Sequence, residues 1–383
     1  MNLTYKYRLR PTNKQRHILD DILFQMQTVY NDALNERRWS WSRSRRSVSY
    51  FDQWRRMKDE RYACPAEMGL LNVTSIQQML RRLDKSYRAF YQGQRGLPRF
   101  KGRNRFKSVE YRHGDGSKVE GDRLYIQHVG HIKIRLHRPL PAEATIKQVV
   151  IKRTGNHWDV ALMLAVKDPE PVAHPGPAVG VDVGLKSLLA LSDGRLIDNP
   201  RWLRQSLAEL RIWQRKMSRR KRLSRGWYAA RRKVARLHEK IASQRRDFWH
   251  KLTHRMANAY GAIVIEELNL SFMLRNKHLS LSAHDAALGM LRPLLAYKVE
   301  KTGTLLLVEN PHGTSQDCSG CGERVPKDLS VRTHHCPKCG LIIDRDVNAA
   351  LNLLKRAGLS REALTYPVTD CVASEAPPLQ RGE

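Results

Sequence analysis

The sequence predicts an α/β chain of more than one domain, on three observations. Short runs with period-two alternation crowd residues 106–168, a proline-rich stretch breaks the chain at 169–177, and apolar strands interspersed with long helical patterns follow from 178 onward. At 383 residues and 41% hydrophobic content the chain can bury real cores, and its length suits two or more structural units.

The first element reads as a half-buried strand, because Leu3, Tyr5, Tyr7 and Leu9 alternate with Thr4, Lys6 and Arg8. Pro11-Thr12 then opens a helix whose apolar stripe runs Ile18, Leu19, Ile22, Leu23, Met26, Val29, Tyr30 and Ala33. A second helix carries Ile76, Leu80, Leu83, Tyr87 and Phe90. Between them, Arg37 to Arg56 interleaves arginines with Trp39, Trp41, Tyr50, Phe51 and Trp54. That mixture suits phosphate contacts plus base stacking, or equally a helical surface with buried aromatics.

Gly96-Leu-Pro-Arg-Phe-Lys-Gly102 ends the helical pattern, and strands follow at Leu124-Tyr-Ile, His131 to Leu136, Ile146 to Lys152 and Trp158 to Val166. The strand near Met1 should join this β unit, since its backbone groups need a sheet. Asp168-Pro-Glu-Pro-Val-Ala-His-Pro-Gly-Pro177 is a stiff linker, and the main boundary is placed there.

Beyond it, Ala178 to Val183 is a strand that embeds Asp182, followed by Gly184-Leu-Lys-Ser and the apolar strand Leu188 to Leu191. This is how an RNase H-like sheet begins. A carboxylate inside an apolar strand is costly unless it is paired or bound to metal, the alternative being an aspartate that hydrogen-bonds a turn. Glu266 ends a second buried run, Ala262-Ile-Val-Ile-Glu266, and Glu267 beside it should point to the other face. Asp346 precedes the helix-forming Val-Asn-Ala-Ala-Leu-Asn-Leu-Leu, where it can act at the N-terminal end or serve as a plain N-cap. Asp182, Glu266 and Asp346 together read as one site able to hold the divalent metals that hydrolyse a phosphodiester.

The formal net charge is +32 and the pI about 10.3, so the whole-molecule field should draw a polyanion, nucleic acid first. An anionic membrane surface is the other candidate. The sequence has no apolar run long enough to span a bilayer, no secretory signal and no lipidation pattern, which points to a cytosolic protein. Arg201 to Arg255 contains nineteen Lys or Arg against Glu209, Glu239 and Asp247. An apolar seam of Val234, Leu237, Ile241, Phe248, Leu252 and Met256 makes its second half a helix with one buried edge. The rest is a basic surface suited to a phosphate backbone.

Four of six cysteines fall in Cys318-Ser-Gly-Cys321 and Cys336-Pro-Lys-Cys339, a four-thiolate pattern for one structural Zn²⁺. A redox pair is the competing reading, and His334 or His335 could replace a thiolate. Cys64 and Cys371 stand apart as isolated thiols.

These residues resemble the TnpB family of transposon-encoded RNA-guided DNA endonucleases related to the type V CRISPR effectors. The resemblance is collinear from Tyr5-Lys-Tyr-Arg-Leu-Arg-Pro to Leu351-Asn-Leu-Leu and includes Leu97-Pro-Arg-Phe-Lys, Arg246-Asp-Phe-Trp-His-Lys-Leu and Thr314-Ser-Gln-Asp-Cys. The chain departs from it at Ala286-Ala-Leu-Gly289, where family members often carry an aromatic before the glycine.

The resemblance implies a wedge β-barrel at 1–10 and 106–168, interrupted by a helical recognition domain at 11–105, with a linker at 169–177. It further implies a RuvC-like nuclease domain at 178–315 and 341–357 and a zinc ribbon inserted at 316–340. The remaining stretch, 358–383, has few periodic apolar positions and contains Ala376-Pro-Pro, so it reads as a disordered tail. Asp182, Glu266 and Asp346 correspond to the catalytic acids, holding two Mg²⁺ ions or Mn²⁺ in their place. The four cysteines correspond to the zinc ligands. The implied partners are a guide RNA from the transposon end and a double-stranded DNA target beside a short adjacent motif, with base pairing reading the sequence. A nuclease-inactive RNA-guided repressor is the nearest alternative and would be expected to lack one or more acids. A zinc-ribbon DNA-binding factor without a guide is a third class.

Overall fold

The computed structural model describes residues 2–102, 105–155, 157–167, 173–328 and 330–360. Part of the proline-rich linker, Cys371 and residues 361–383 of the expected tail lie outside the described residues. The chain forms two compact units, divided between the last barrel strand and the first strand of the second sheet.

The first unit begins with β1 (Asn2–Arg10) and continues through α1 (Asn13–Ser44), α2 (Tyr50–Ala63), the single turn α3 (Pro65–Met68) and α4 (Val73–Tyr91). Six strands follow: β2 (Ser108–His113), β3 (Gly116–Glu120), β4 (Arg123–Ile126), β5 (Gly130–Arg135), β6 (Thr145–Thr154) and β7 (His157–Ala165). They close a barrel in the order β1-β5-β4-β3-β2-β6-β7. Strand β1 closes the ring, pairing antiparallel with β7 from Asn2↔Ala165 to Leu9↔Trp158 and with β5 at Arg8↔Arg135. Its alternation sends Tyr7 and Leu9 into the core with Ile132, Val149 and Leu162.

Helix α1 starts where its chemistry says it should. The Thr12 hydroxyl accepts the Gln15 N–H at 3.3 Å and the Gln15 side chain accepts the Thr12 N–H at 3.0 Å, a reciprocal cap. Its stripe from Leu19 to Ala33 is buried against α4 and the barrel. Inside this packing lies a polar knot that hydrophobic periodicity does not reveal. Gln53 is fully buried, donates to the Ala33 carbonyl at 2.8 Å and accepts from Arg37 Nε at 2.7 Å, while Arg37 Nη1 reaches Asp84 at 3.2 Å.

The second unit holds β8 (Ala178–Val183), β9 (Ser187–Leu191), β10 (Leu196–Asp198), α5 (Trp202–Ser218), α6 (Arg225–Ala259) and β11 (Ala262–Glu266). It continues with α7 (Leu270–Arg275), α8 (Ser280–Ala286), α9 (Leu291–Thr302) and β12 (Leu305–Glu309). A small hairpin of β13 (Thr333–His335) and β14 (Ile342–Asp344) leads into α10 (Arg345–Arg356). The main sheet runs β10-β9-β8-β11-β12, with β8, β11 and β12 parallel and β9 and β10 antiparallel in succession. Helix α10 lies directly on β8, and Gly180 makes this possible: a Cβ there would stand 1.9 Å from the Ala350 carbonyl oxygen.

On the other core, Trp249 rather than Phe248 is the fully buried aromatic of α6, and its indole N–H donates to the Ala286 carbonyl at 3.0 Å. Leu288 fills the buried position that precedes Gly289. Helix α5 has no cap of its own, since Arg201 before it sits at φ 52°. Asp285, buried on α8, caps it instead by accepting the N–H groups of Leu203 and Arg204 at 2.8 and 3.0 Å. No described helix is long and apolar enough to cross a membrane.

Candidate active site and metal centre

Asp182 and Glu266 stand at the C-terminal ends of β8 and β11, which are neighbouring parallel strands in register at Val181↔Ile265. Both side chains therefore leave the sheet on the same side, and Glu267 is exposed. The Glu266 carboxylate accepts the Val183 N–H at 3.2 Å, which ties the two strand ends together. Asp346 arrives from the first turn of α10, a helix held on β8 by the close approach at Gly180.

The fields of these groups overlap. Burial pushes the Asp182 carboxyl well above the usual carboxylate range, and the neighbouring Glu266 and Asp346 push it further against the opposing charge of Arg345. Burial likewise pushes Glu266 up to about 7, opposed by the Val183 N–H. Asp346 is paired with Arg345 at 3.1 Å and Arg332 at 3.5 Å. Two buried carboxyl groups destabilised in their charged forms, with a third beside them, fit a divalent cation, whose charge reverses that penalty. The three acids are electrostatic neighbours, although the cysteines are the described ligand cluster already gathered to metal-binding spacing.

Asp344, two residues before Asp346, is the N-cap of α10. The candidate site residue and the plain cap are thus two different aspartates.

The Sγ atoms of Cys318, Cys321, Cys336 and Cys339 all lie within 4.8 Å of one another. The two knuckles repeat one hydrogen-bond pattern. Cys318 N–H donates to the Glu323 carbonyl at 2.8 Å and Gly322 N–H to that of Cys318 at 2.9 Å, just as Cys336 donates to Leu341 at 3.0 Å and Gly340 to Cys336 at 2.9 Å. Gly322 and Gly340, at φ 79° and 72°, supply the left-handed turn each knuckle needs. Four thiols on two equivalent turns fit a closed tetrahedral zinc site. His334 is outside the cluster: it is fully buried on β13, with Nδ1 against the Lys327 ammonium.

Apolar periodicity alone misses the polar stripe by which α10 grips the first knuckle. Asn348 accepts the Ser319 N–H at 2.9 Å and donates to the Asp317 carbonyl at 2.8 Å, and Asn352 donates to Thr314 and Asp317 carbonyls at 2.8 and 2.6 Å. Lys355 adds the Ser319 carbonyl. The spacing 348, 352, 355 is one helix face, and that i, i+4, i+7 repeat of polar residues was the available signal.

The basic segment forms the helical pair α5 and α6, whose connecting residues Arg219, Arg220, Lys221 and Arg222 are all exposed. Cationic groups pack on its indoles, Lys216 at 4.7 Å from the Trp213 ring centre and Arg231 at 5.3 Å from that of Trp227.

The OrfB_IS605 family, described as "Probable transposase", matches residues 161–277, and the Cas12f1-like TNB domain matches residues 289–353. A helix-turn-helix family matches residues 1–46, where the structure has β1 and the 32-residue α1. A provisionally named RNA-guided DNA endonuclease of Streptomyces pristinaespiralis is 35% identical over 94% of this chain and 90% of its own length. The similarly named InsQ of Escherichia coli K12 is 26% identical over 91% of each. In fold, the chain is similar to Cas12f1 from a complex with sgRNA and target DNA, with a TM-score of 0.59 and 15% identity over 92% of this chain and 98% of that one. On the strength of the 35% match to the Streptomyces relative along almost the full length of both sequences, the chain belongs to the TnpB family.

Proposed function

We propose that this protein is an RNA-guided DNA endonuclease of a transposon that cleaves double-stranded DNA beside a short transposon-adjacent motif. The observation that carries the reading is the convergence of Asp182, Glu266 and Asp346 at the ends of β8, β11 and the start of α10, with burial holding the first two carboxyl groups up and repulsion from Glu266 and Asp346 adding to it at Asp182. The names of the Streptomyces and E. coli relatives support it.

In this reading the second sheet with α10 is a RuvC-like nuclease domain, the cysteine knuckles an inserted zinc ribbon, and the barrel and its helical insertion the wedge and recognition domains. Asp182, Glu266 and Asp346 would hold two Mg²⁺ ions, which when bound activate a water and stabilise the departing 3′ oxygen. Asp182 and Glu266 must lose their protons to serve as ligands, so their burial sets a pH threshold on loading. Arg332 and Arg345 place positive charge beside Asp346, where a scissile phosphate needs it. The four cysteines would hold one Zn²⁺ that fixes the loop seated on Asn348 and Asn352. The protein would work in the cytoplasm of a prokaryotic cell on chromosomal or plasmid DNA.

The test is cleavage of a plasmid carrying a matched target and adjacent motif, with programmed guide RNA and Mg²⁺, beside a binding measurement in the same buffer. Binding without cutting across Mg²⁺ and Mn²⁺ titrations would replace this reading with the RNA-guided repressor.

A further inference from the structure

The nuclease site makes no use of the mixed aromatic and arginine run between residues 37 and 56, and the structure gives its members different places. Tyr50 and Trp54 pack against the core of the first unit. Trp41 and Phe51 stand 53% and 66% exposed, and with Tyr91, 72% exposed, they line a cavity of 880 Å³. The cavity is bounded by the last turns of α1, the start of α2 and the end of α4. Three large rings left open on three helices around one cavity are available for stacking.

The cavity wall is also electrostatically one-sided. Arg37, Arg38 and Arg88 face a single carboxylate, Asp84, which already pairs with Arg37 at 3.2 Å and Arg88 at 2.9 Å. Among the described residues Arg38 forms no ion pair; it donates to the Pro98 carbonyl at 3.0 Å and lies 5.0 Å over the Phe100 ring centre. Buried in the same wall, Arg37 Nη2, Arg38 Nε and the Tyr50 hydroxyl have no hydrogen-bond partner among the described residues. Native interiors rarely leave such groups unanswered, so a cluster of three calls for a ligand rich in acceptors.

We propose that this cavity captures an unpaired nucleotide of single-stranded nucleic acid, its base stacked on the exposed rings and its phosphate drawn by the arginines. This deepens the nucleic-acid reading above and rests on it. A duplex hides its base faces in its own stack, so only an unpaired base offers a flat surface to Trp41, Phe51 or Tyr91. The positive wall disfavours an uncharged apolar ligand, and the volume is that of an ordinary small-ligand site.

The experiment uses the full chain and short uridine and thymidine oligomers, each carrying one 5-iodouracil for photo-crosslinking. Trp41→Ala and Phe51→Ala should each raise Kd about fivefold or more, as loss of one stacked base does, while leaving the salt dependence of binding unchanged. Phe51→Tyr should restore affinity. Trp39→Ala should change it less than about twofold, since Trp39 is 59% exposed but lies outside the cavity. Crosslinks should map to peptides holding Trp41, Phe51 or Tyr91, and the tighter of the two oligomers names the strand as RNA or DNA.

Unchanged affinity in both alanine variants, with helical content intact by circular dichroism, overturns the proposal. So do crosslinks confined to residues 201–255, or equal competition by a duplex of the same length. Plasmid cutting that proceeds with binding indifferent to Trp41 and Phe51 removes the cavity and leaves the nuclease. Ring-dependent binding in a protein that never cuts removes the nuclease and leaves the cavity.

Discussion

The Asp344 carboxylate accepts the backbone N–H of Asp346 at 2.8 Å and that of Val347 at 3.2 Å, so the two acids of this pair divide the work. Asp344 is committed to capping α10, and Asp346 keeps its carboxylate for Arg345, Arg332 and the cluster with Asp182. Asp182→Ala, Glu266→Ala and Asp346→Ala should each abolish DNA cutting while guide assembly and target binding stay near wild type. Asp344→Asn keeps an N-cap acceptor and should cut, as should Glu267→Gln, whose side chain is exposed. Asp344→Ala should lose about 1 kcal/mol of stability with partial activity. A dead Asp344→Asn beside an active Asp346→Ala in the plasmid assay would transfer the role to the cap.

Glu266 makes a second prediction, about pH. Its carboxyl is pushed up to about 7 in the folded protein, whereas an unfolded glutamate titrates near about 4.3. Between those values the folded state binds a proton that the unfolded chain has released, so stability falls as pH rises through the window. Glu266→Gln removes the charge and keeps the shape. In magnesium-free buffer it should therefore be more stable than wild type near pH 8, by up to roughly 3–4 kcal/mol, and lose that advantage toward pH 4. Thermal unfolding across that range reads the difference. A variant less stable than wild type at the alkaline end would mean that a neighbouring positive charge already compensates Glu266.

What the sequence shows of this molecule is what local chemistry decides. Thr12 with Gln15 is a capping pair three residues apart, and the cysteine knuckles are fixed by spacing and glycine, so both are visible before any fold is known. The apolar strands ending in Asp182 and Glu266 are visible for a similar reason, since a carboxylate interrupts an otherwise buried run. Contacts across long separations are not. Asp285 caps α5 from 82 residues away, and Gln53 looks like any surface glutamine until α1, α2 and α4 close around it. Choosing Trp249 over Phe248 as the buried ring also lies beyond periodicity, because adjacent helical residues differ by only a fraction of a turn.

The grip of α10 on the first knuckle gives a third prediction. Asn348 is fully buried and Asn352 is 7% exposed, and the Thr314 and Asp317 carbonyls each accept from both amides, so replacing either by alanine removes two of these four bonds, and Asn348→Ala also strands the Ser319 N–H. Each variant should lose about 1–3 kcal/mol and speed amide exchange across residues 314–319, with zinc retained at one equivalent. Slowed cutting with unchanged target binding would then mark the loop as a support for the Asp346 helix. Exchange unaltered in that loop would detach the asparagines from it.

Zinc itself is tested by removal. Chelation, or Cys318→Ser with Cys321→Ser, should unfold the knuckles locally, because zinc binding of roughly 10 kcal/mol or more is folding energy in such units. The barrel of the first unit should keep its strand signal, since its core holds none of the four cysteines. Elemental analysis that finds no zinc in protein prepared without chelator would end the assignment.

The α5–α6 connection carries the last prediction. Arg219, Arg220, Lys221 and Arg222 are exposed in succession, and none of the four forms an ion pair among the described residues. Like charges so close repel, and no acidic side chain among the described residues relieves them, so a polyanion is the natural counter-charge. Each phosphate contact adds about 0.9 to the slope of log K against log salt on a duplex, so changing all four to glutamine should flatten that slope by up to about 3 or 4. Affinity should fall uniformly across target sequences, because the backbone carries no sequence information and base pairing with the guide does. The measurement is a salt titration of target binding for wild type and the quadruple variant, repeated on a second matched guide and target. A slope that stays at the wild-type value would return the connection to ordinary solvated surface, and a change in sequence preference would mean that these side chains read bases rather than phosphates.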